Sequence, residues 1–286
     1  MSTSLHGKVV AITGGGRGIG AATATRLARA GAKVAIGDLD LDVAQATAER
    51  IGSGTLAVRL DVTDPKSFAS FLDETEEKLG PVDVVVNNAG IMPLATLLEE
   101  DDASTHRILD LNVRSVIVAS REAARRLVAR GQGGHIVNIA STAGKTGLAG
   151  GATYCASKAA VIAFCEGIEM ELAEHDVRVS CVMPGIVQTE LSVGVPDLPA
   201  FKAVKPEDVA DGIAAALEKP RLYVFVPRSA GPLLTSTTLL PRRAGLWLAK
   251  KMGADRVFTD ASHDPSRASY ESRAARTDMA AEESTR

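Results

Sequence analysis

Aromatic side chains are scarce in this chain, 3% of 286 residues with a single tryptophan. Few rings are therefore available for stacking exposed bases, which argues against single-stranded nucleic acid as a partner. Charge is nearly balanced, a formal −3 with a pI near 6.0, so no basic excess points to a phosphate backbone either. The three cysteines, Cys155, Cys165 and Cys181, form no Cys-x-x-Cys pair. That spacing offers no disulfide framework and no metal site; it fits a reducing, cytoplasmic setting. No window supplies about 18 uninterrupted apolar residues, so no transmembrane helix is expected. Residues 1–7 lack the apolar stretch of a secretory signal. What remains is an ordinary globular balance of 45% hydrophobic and 23% charged residues, enough to bury a large core in one domain or two.

The order of the chain is informative. Val9-Val10-Ala11-Ile12 reads as a buried strand and runs directly into Thr13-Gly14-Gly15-Gly16-Arg17-Gly18-Ile19-Gly20. An alanine-rich helix from Ala21 to Ala30 follows and stops at Gly31. Strand, glycine turn and helix form a phosphate cradle. Glycines let the backbone approach a pyrophosphate, and a helix N-terminus presents free N–H groups and the positive end of its dipole. A second strand, Val34 to Gly37, ends in Asp38, where an acid can accept hydrogen bonds from the adenosine ribose and repel a 2′-phosphate. This predicts NAD rather than NADP. Two features keep the alternative open: Asp40 and Asp42 make Asp38 one of several loop acids, and Arg17 could pair with a 2′-phosphate.

Strands at Leu56–Leu60, Val84–Val86, His135–Ala140, Val177–Val182 and Leu222–Val226 alternate with helices at 42–51, 65–79, 99–130 and 206–217. The expected fold is α/β: a doubly wound parallel sheet of about seven strands with helices on both faces. Ligands in such sheets bind beyond the carboxyl ends of the strands, where Asp38, Asp61, Asn88, Ser141 and Pro184 would gather. The helix after the fifth strand carries Tyr154 and Lys158, four apart and so on one face. An ammonium beside a phenol favours the phenolate, and a drop of roughly two to three pH units would make Tyr154 a proton donor and acceptor near neutrality. A chance pair on an amphipathic helix would look the same. Cys155 beside it reads as a small buried residue, with a nucleophile as the alternative.

Taken together, Thr13 with Gly14, Gly18 and Gly20, then Asn87-Asn88-Ala89-Gly90, Asn112, Ser141, Tyr154 with Lys158, and Pro184-Gly185 with Thr189 resemble the short-chain dehydrogenase/reductase family over roughly residues 5 to 227. The resemblance implies a Rossmann-type oxidoreductase that moves a hydride between NAD(H) and a secondary alcohol or ketone. It implies that Tyr154 transfers the proton, that Lys158 lowers its pKa and holds the nicotinamide ribose, that Ser141 orients the substrate oxygen, and that Asn112 supports a water relay. It places the cofactor against Gly14, Arg17, Gly18, Ile19 and Gly20, with Asp61 and Val62 at the adenine and Asn88, Ala89 and Gly90 along the adenosine. Pro184 and Gly185 would also border the cofactor, and the Ile186 backbone and Thr189 side chain would fix the nicotinamide carboxamide. A homo-oligomer is also implied. A dinucleotide-binding sensor or scaffold without turnover is the alternative, and a non-redox relative such as a dehydratase a further one.

The chain departs from the family pattern after the seventh strand, where Val226-Pro227 replaces a glycine-rich ending and residues 228–286 follow as a mostly helical extension. This ending resembles the branch that acts on lipophilic alcohols and ketones. Within it, Leu240, Ala244, Trp247, Leu248 and Met252 form one apolar stripe flanked by Arg242, Arg243, Lys250 and Lys251. The stripe fits packing on the protein body or on another subunit; peripheral membrane contact through 240–252 is the alternative. From about Thr259 the composition turns polar and predicts poor order. The 190–205 loop, with Leu191, Val193, Val195, Leu198 and Phe201, is expected to cover an apolar substrate pocket.

Overall fold

The computed structural model describes residues 4–196, 202–238, 241–251, 253 and 255–275. Its centre is a seven-stranded parallel sheet in the order β3-β2-β1-β4-β5-β6-β7. The strands are β1 (Val9–Thr13), β2 (Lys33–Asp38), β3 (Leu56–Arg59), β4 (Val84–Asn87), β5 (Gly134–Ile139), β6 (Val177–Pro184) and β7 (Tyr223–Val226). β1 and β4 are buried along their whole length, which is why they read as unbroken apolar runs rather than as alternating ones.

Helices α1 (Gly18–Arg29), α2 (Leu41–Ile51) and α3 (Pro65–Leu79) connect the first four strands. Asp40 caps α2 by accepting from the Val43 amide, and Asp64 caps α3 by accepting from the Lys66 amide. Two cores lie on either side of the sheet. One joins Ile12, Ile36 and Val86 to Leu27 of α1 and to Val209 and Ile213 of α7 (Pro206–Glu218). The other joins Ala11, Val85 and Ile136 to Phe68, Phe71 and Leu72 of α3.

The helical stretch expected at 99–130 runs unbroken from Asp102 to Arg130, with one widened turn inside it. Asp101 accepts from the Ser104 amide and starts α4 (Asp102–Leu109); a wide π-turn occupies Asp110–Arg114, and α5 (Ser115–Arg130) follows. π-turns of this kind are frequent at functional sites, and here the turn carries Asn112.

One expectation requires correction: residues 259–275 are not a loose polar segment, while residues 276–286 lie outside the described residues. After α8 (Ala230–Thr238) and α9 (Arg242–Lys251), the chain forms α10 (Val257–Ser262) and α11 (Ala268–Ala275). Val257, Phe258 and Ala261 pack with Met92, Leu94, Tyr154 and Cys155. Burial of these few apolar residues supplies the order that the polar composition concealed. In the expected 240–252 stripe, Leu240 and Met252 lie outside the described residues. Trp247 is 63% exposed, with the Lys251 ammonium 5.2 Å from its ring centre. Among the described residues no helix is long and apolar enough to cross a membrane.

Candidate active site

The carboxyl ends of β1, β2, β4, β5 and β6 open onto one cavity of about 460 Å³. The glycine loop forms its floor. Gly14 and Gly18 adopt φ +62° and +52°, a conformation that disfavours other residues. Arg17 at the N-cap of α1 makes no capping bond, and the first turn carries no acid, so the amide end of the helix stays available to an anion. Gly14, Gly18 and Ile19 line the cavity, whereas Gly20 does not. A Cβ at Gly20 would stand 2.1 Å from the Gly14 carbonyl oxygen, so its absence lets α1 pack against the loop. Shape and charge at this cradle fit a dinucleotide pyrophosphate.

Asp38 borders the cavity at the end of β2, and its carboxylate accepts from the Gly16 amide at 2.9 Å and the Asp40 amide at 3.2 Å. Arg17 also lines the cavity, but its guanidinium is paired with Asp40 at 3.1 Å. Asp61 and Val62 lie beside Asp38, and Asn88, Ala89 and Gly90 follow along the wall. The Asn88 side chain ties β4 to β1 by donating to the carbonyls of Thr13 and Gly14, both at 3.0 Å. The Thr13 hydroxyl in turn accepts from the amides of Asn88 and Ala89. Pro184, Gly185, Ile186 and Thr189 close the far side.

Ser141, Tyr154 and Lys158 line the same cavity. Ser141 follows β5; its hydroxyl accepts from the Ala143 amide and donates to the Pro184 carbonyl. Tyr154 and Lys158 lie on α6 (Ala152–Leu172), and the ammonium stands 5.8 Å from the phenol ring centre, donating to the Ile139 carbonyl at 3.0 Å. Asn112 is fully buried behind Gly90 and does not reach the cavity surface. Its amide accepts from the Ile91 N–H at 2.9 Å and donates to the Ile91 carbonyl at 2.8 Å and the Ser157 hydroxyl at 3.2 Å. It braces the loop after β4.

The electrostatics differ from the expectation that Lys158 lowers the Tyr154 pKa. Burial pushes Tyr154 up to about 12, with the hydrogen bond to Ser141 drawing it only part of the way back. Burial also brings Lys158 down to about 8. Both charged forms lose hydration in this apolar corner, and that loss dominates each shift. Cys155 is buried and its thiol is likewise raised by burial, the behaviour of a packing residue rather than a nucleophile. Among the described residues no cluster of three His, Cys, Asp or Glu side chains could hold a metal.

Several residues around Tyr154 were not foreseen. Phe258 packs edge-on against the Tyr154 ring at 6.4 Å, and Met92, Tyr270, Arg273 and Ala274 also border the cavity. Their sequence signal is only the short spacings Val257/Phe258/Ala261 and Tyr270/Ala274, too brief to stand out as amphipathic. Of the expected covering loop, Leu191 and Val195 pack against this cluster and Val193 is half-exposed. Leu198 and Phe201 lie outside the described residues.

Comparison with known proteins gives this chain a family and relatives. The profile of the family described as short chain dehydrogenase matches residues 8–197. Sorbitol dehydrogenase of Cereibacter sphaeroides is 41% identical over 191 residues, 67% of this chain and 75% of that protein. Galactitol 2-dehydrogenase of Agrobacterium fabrum is 38% identical over 65% of this chain and 73% of its own. A crystal structure of 3-ketoacyl-(acyl-carrier-protein) reductase from Brucella melitensis complexed with NADH superposes with a TM-score of 0.70 at 32% identity, covering 78% of this chain and 98% of that one. The chain belongs to the short-chain dehydrogenase/reductase family, NAD(P)-dependent oxidoreductases acting on CH–OH groups.

Proposed function

We propose that the protein interconverts a lipophilic secondary alcohol and its ketone, using NAD(H). The observation that carries this reading is the chamber around Tyr154, walled by Met92, Leu191, Val195, Val257 and Phe258. A polyol such as the relatives' names imply would bring hydroxyls that these side chains cannot hydrogen-bond, at a cost of roughly 1–3 kcal/mol for each buried group left unpaired. An apolar substrate has no such cost.

In this reading the nicotinamide, when bound, supplies the hydride carrier, and its oxidised form adds a positive charge that favours the phenolate. Tyr154 keeps its proton at neutrality as held here, the state required to deliver one to a carbonyl oxygen. Ser141 donates to that same oxygen and fixes its direction. Lys158 stands within reach of the ring to stabilise the phenolate left behind. Asn112 holds the 90–92 loop against α6, and through it the position of Lys158 relative to Gly90. The preference for NAD rests on the Asp38 carboxylate at the ribose end and on the pairing that draws Arg17 to Asp40. The protein is further read as a homo-oligomer of the cytoplasm. The exposed Trp247 with its basic neighbours leaves peripheral membrane contact to be tested by liposome flotation.

The test is turnover of secondary alcohols and ketones followed through NADH absorbance. Tyr154→Phe is expected to lower kcat roughly 10²- to 10⁴-fold while leaving NADH binding intact. Near-full activity in that variant would refute the assigned role. Tight NADH binding with no turnover across the panel would favour the sensor alternative.

A further inference from the structure

Arg267 is 1% exposed and lies well beyond the 8–197 stretch that the family profile matches. Such a residue requires explanation, because arginine is almost never fully buried unless it is paired. Its guanidinium has five N–H donors, and four hydrogen bonds and an ion pair engage it. Nε donates to the Glu271 carboxylate at 3.0 Å, and Nη2 approaches the same oxygen at 2.9 Å. Nη2 also donates to the Met92 carbonyl at 2.7 Å. Nη1 donates to the carbonyls of Leu191 and Val193 at 3.1 and 2.9 Å. Met92 lies on the loop after β4 and Leu191 on the loop after β6, so one side chain ties the C-terminal segment to both flanks of the substrate chamber.

Neighbouring residues repeat the attachment. The Met92 amide donates to the Tyr270 hydroxyl at 2.7 Å, so both backbone groups of Met92 are taken by the segment. The guanidinium also lies 5.0 Å from the Tyr270 ring centre. α10 rests on the turn that starts the catalytic helix: a Cβ at Gly150 would fall 2.5 Å from the Thr259 nitrogen, and one at Gly151 2.6 Å from the Phe258 ring. A Cβ at Gly194 would meet Asp264 at 3.0 Å. From this docked position Phe258, Tyr270 and Ala274 face the cavity.

We infer that α10 and α11 form the specificity-determining wall of the substrate chamber, and that Arg267 is the positioning residue that locks this wall to the two flanking loops. The inference deepens the alcohol–ketone reading above and rests on it for its substrates. A wall held by directed hydrogen bonds at both edges keeps a fixed distance from Tyr154, so the size of the group that fits beside the reacting carbon is set by residues of the extension.

The experiment compares wild type, Ala274→Leu, Arg267→Met and Arg267→Lys with NAD and 2-propanol, cyclohexanol or 2-decanol. NADH affinity is measured by fluorescence, and hydrogen exchange is followed over 257–275 and 191–193. Ala274→Leu adds bulk to the wall; it is expected to lower kcat/KM for 2-decanol at least tenfold relative to 2-propanol, with NADH affinity unchanged within twofold. Arg267→Met is expected to reduce the ratio of the 2-decanol and 2-propanol values at least tenfold and to accelerate exchange in both segments. Arg267→Lys, with fewer donors, should fall between. An unchanged ratio in Ala274→Leu overturns the assignment of the wall, whatever the folding of the arginine variants. Unchanged exchange in Arg267→Met overturns the locking role. Wild type that binds NADH but oxidises none of the three alcohols refutes the alcohol–ketone reading instead, and the exchange measurement still decides whether Arg267 locks the segment.

Discussion

Lys158→Met should stabilise the protein at neutral pH while removing a group assigned to catalysis. Burial takes the Lys158 ammonium from an ordinary 10.5 down to about 8. At about 1.36 kcal/mol per pH unit, keeping that charge costs the folded chain about 3 kcal/mol at pH 7. The lysine recovers part of this through its bond to the Ile139 carbonyl, worth about 1 kcal/mol net. Methionine has a similar unbranched shape and no charge to desolvate, so the variant should gain about 2 kcal/mol. The sign of the pH dependence follows from which state holds the proton. Between pH 8 and 10.5 the unfolded chain carries it and the folded one does not, so wild-type stability rises across that window. The advantage of the methionine should therefore be full below pH 8 and fade as pH approaches 10.5. Urea unfolding of both proteins at pH 7 and pH 9.5, without added cofactor, measures this directly. A variant less stable than wild type at pH 7, or a difference that does not shrink at pH 9.5, refutes the argument.

Other outcomes can be checked in parallel. Asn112→Ala strips partners from both backbone groups of buried Ile91 and should cost about 3 kcal/mol, read from urea midpoints; a loss below 0.5 kcal/mol would show that the brace is idle. His135, held at about 4 by burial and then by Arg178, makes the fold weaken as pH falls from 6.5 towards 4, by up to about 3 kcal/mol. His135→Gln should flatten that slope. Gly20→Ala forces a Cβ onto the Gly14 carbonyl and should weaken NADH binding at least tenfold by fluorescence titration; equal affinity would contradict the close packing of α1. Asp38→Ser should move the NADH/NADPH preference towards NADPH, and a wild type that already binds NADPH more tightly would remove the basis of the NAD assignment.

The sheet was legible because its central strands are buried on both faces, so that stretches such as Val9–Ile12 and Val84–Val86 advertise themselves without any knowledge of their neighbours. The rim was legible for a related reason: in a parallel sheet, position at a strand end is enough to bring Asp38, Asn88 and Ser141 to one cavity. Asn112 was noticeable as an amide in an apolar helix, yet its partners on Ile91 lie 21 residues away, where no local pattern shows them. The pKa of Tyr154 went the other way because spacing reveals a neighbouring charge but not how much water the fold has removed. The C-terminal wall escaped for the same reason. Arg267, Glu271 and Arg273 look like a solvated polar stretch until Met92, Leu191 and Glu190 are brought to them from distant parts of the chain.

The docking of α10 and α11 also sets an order of events during synthesis. The glycine cradle, Ser141, Tyr154 and Lys158 all leave the ribosome before Val257, and at about 5–20 residues per second the interval lasts seconds. During it, the growing chain holds the residues of the dinucleotide cradle but lacks one side of the chamber beside Tyr154. The wall beside Tyr154 is thus added late, to a scaffold whose dinucleotide cradle is already synthesised.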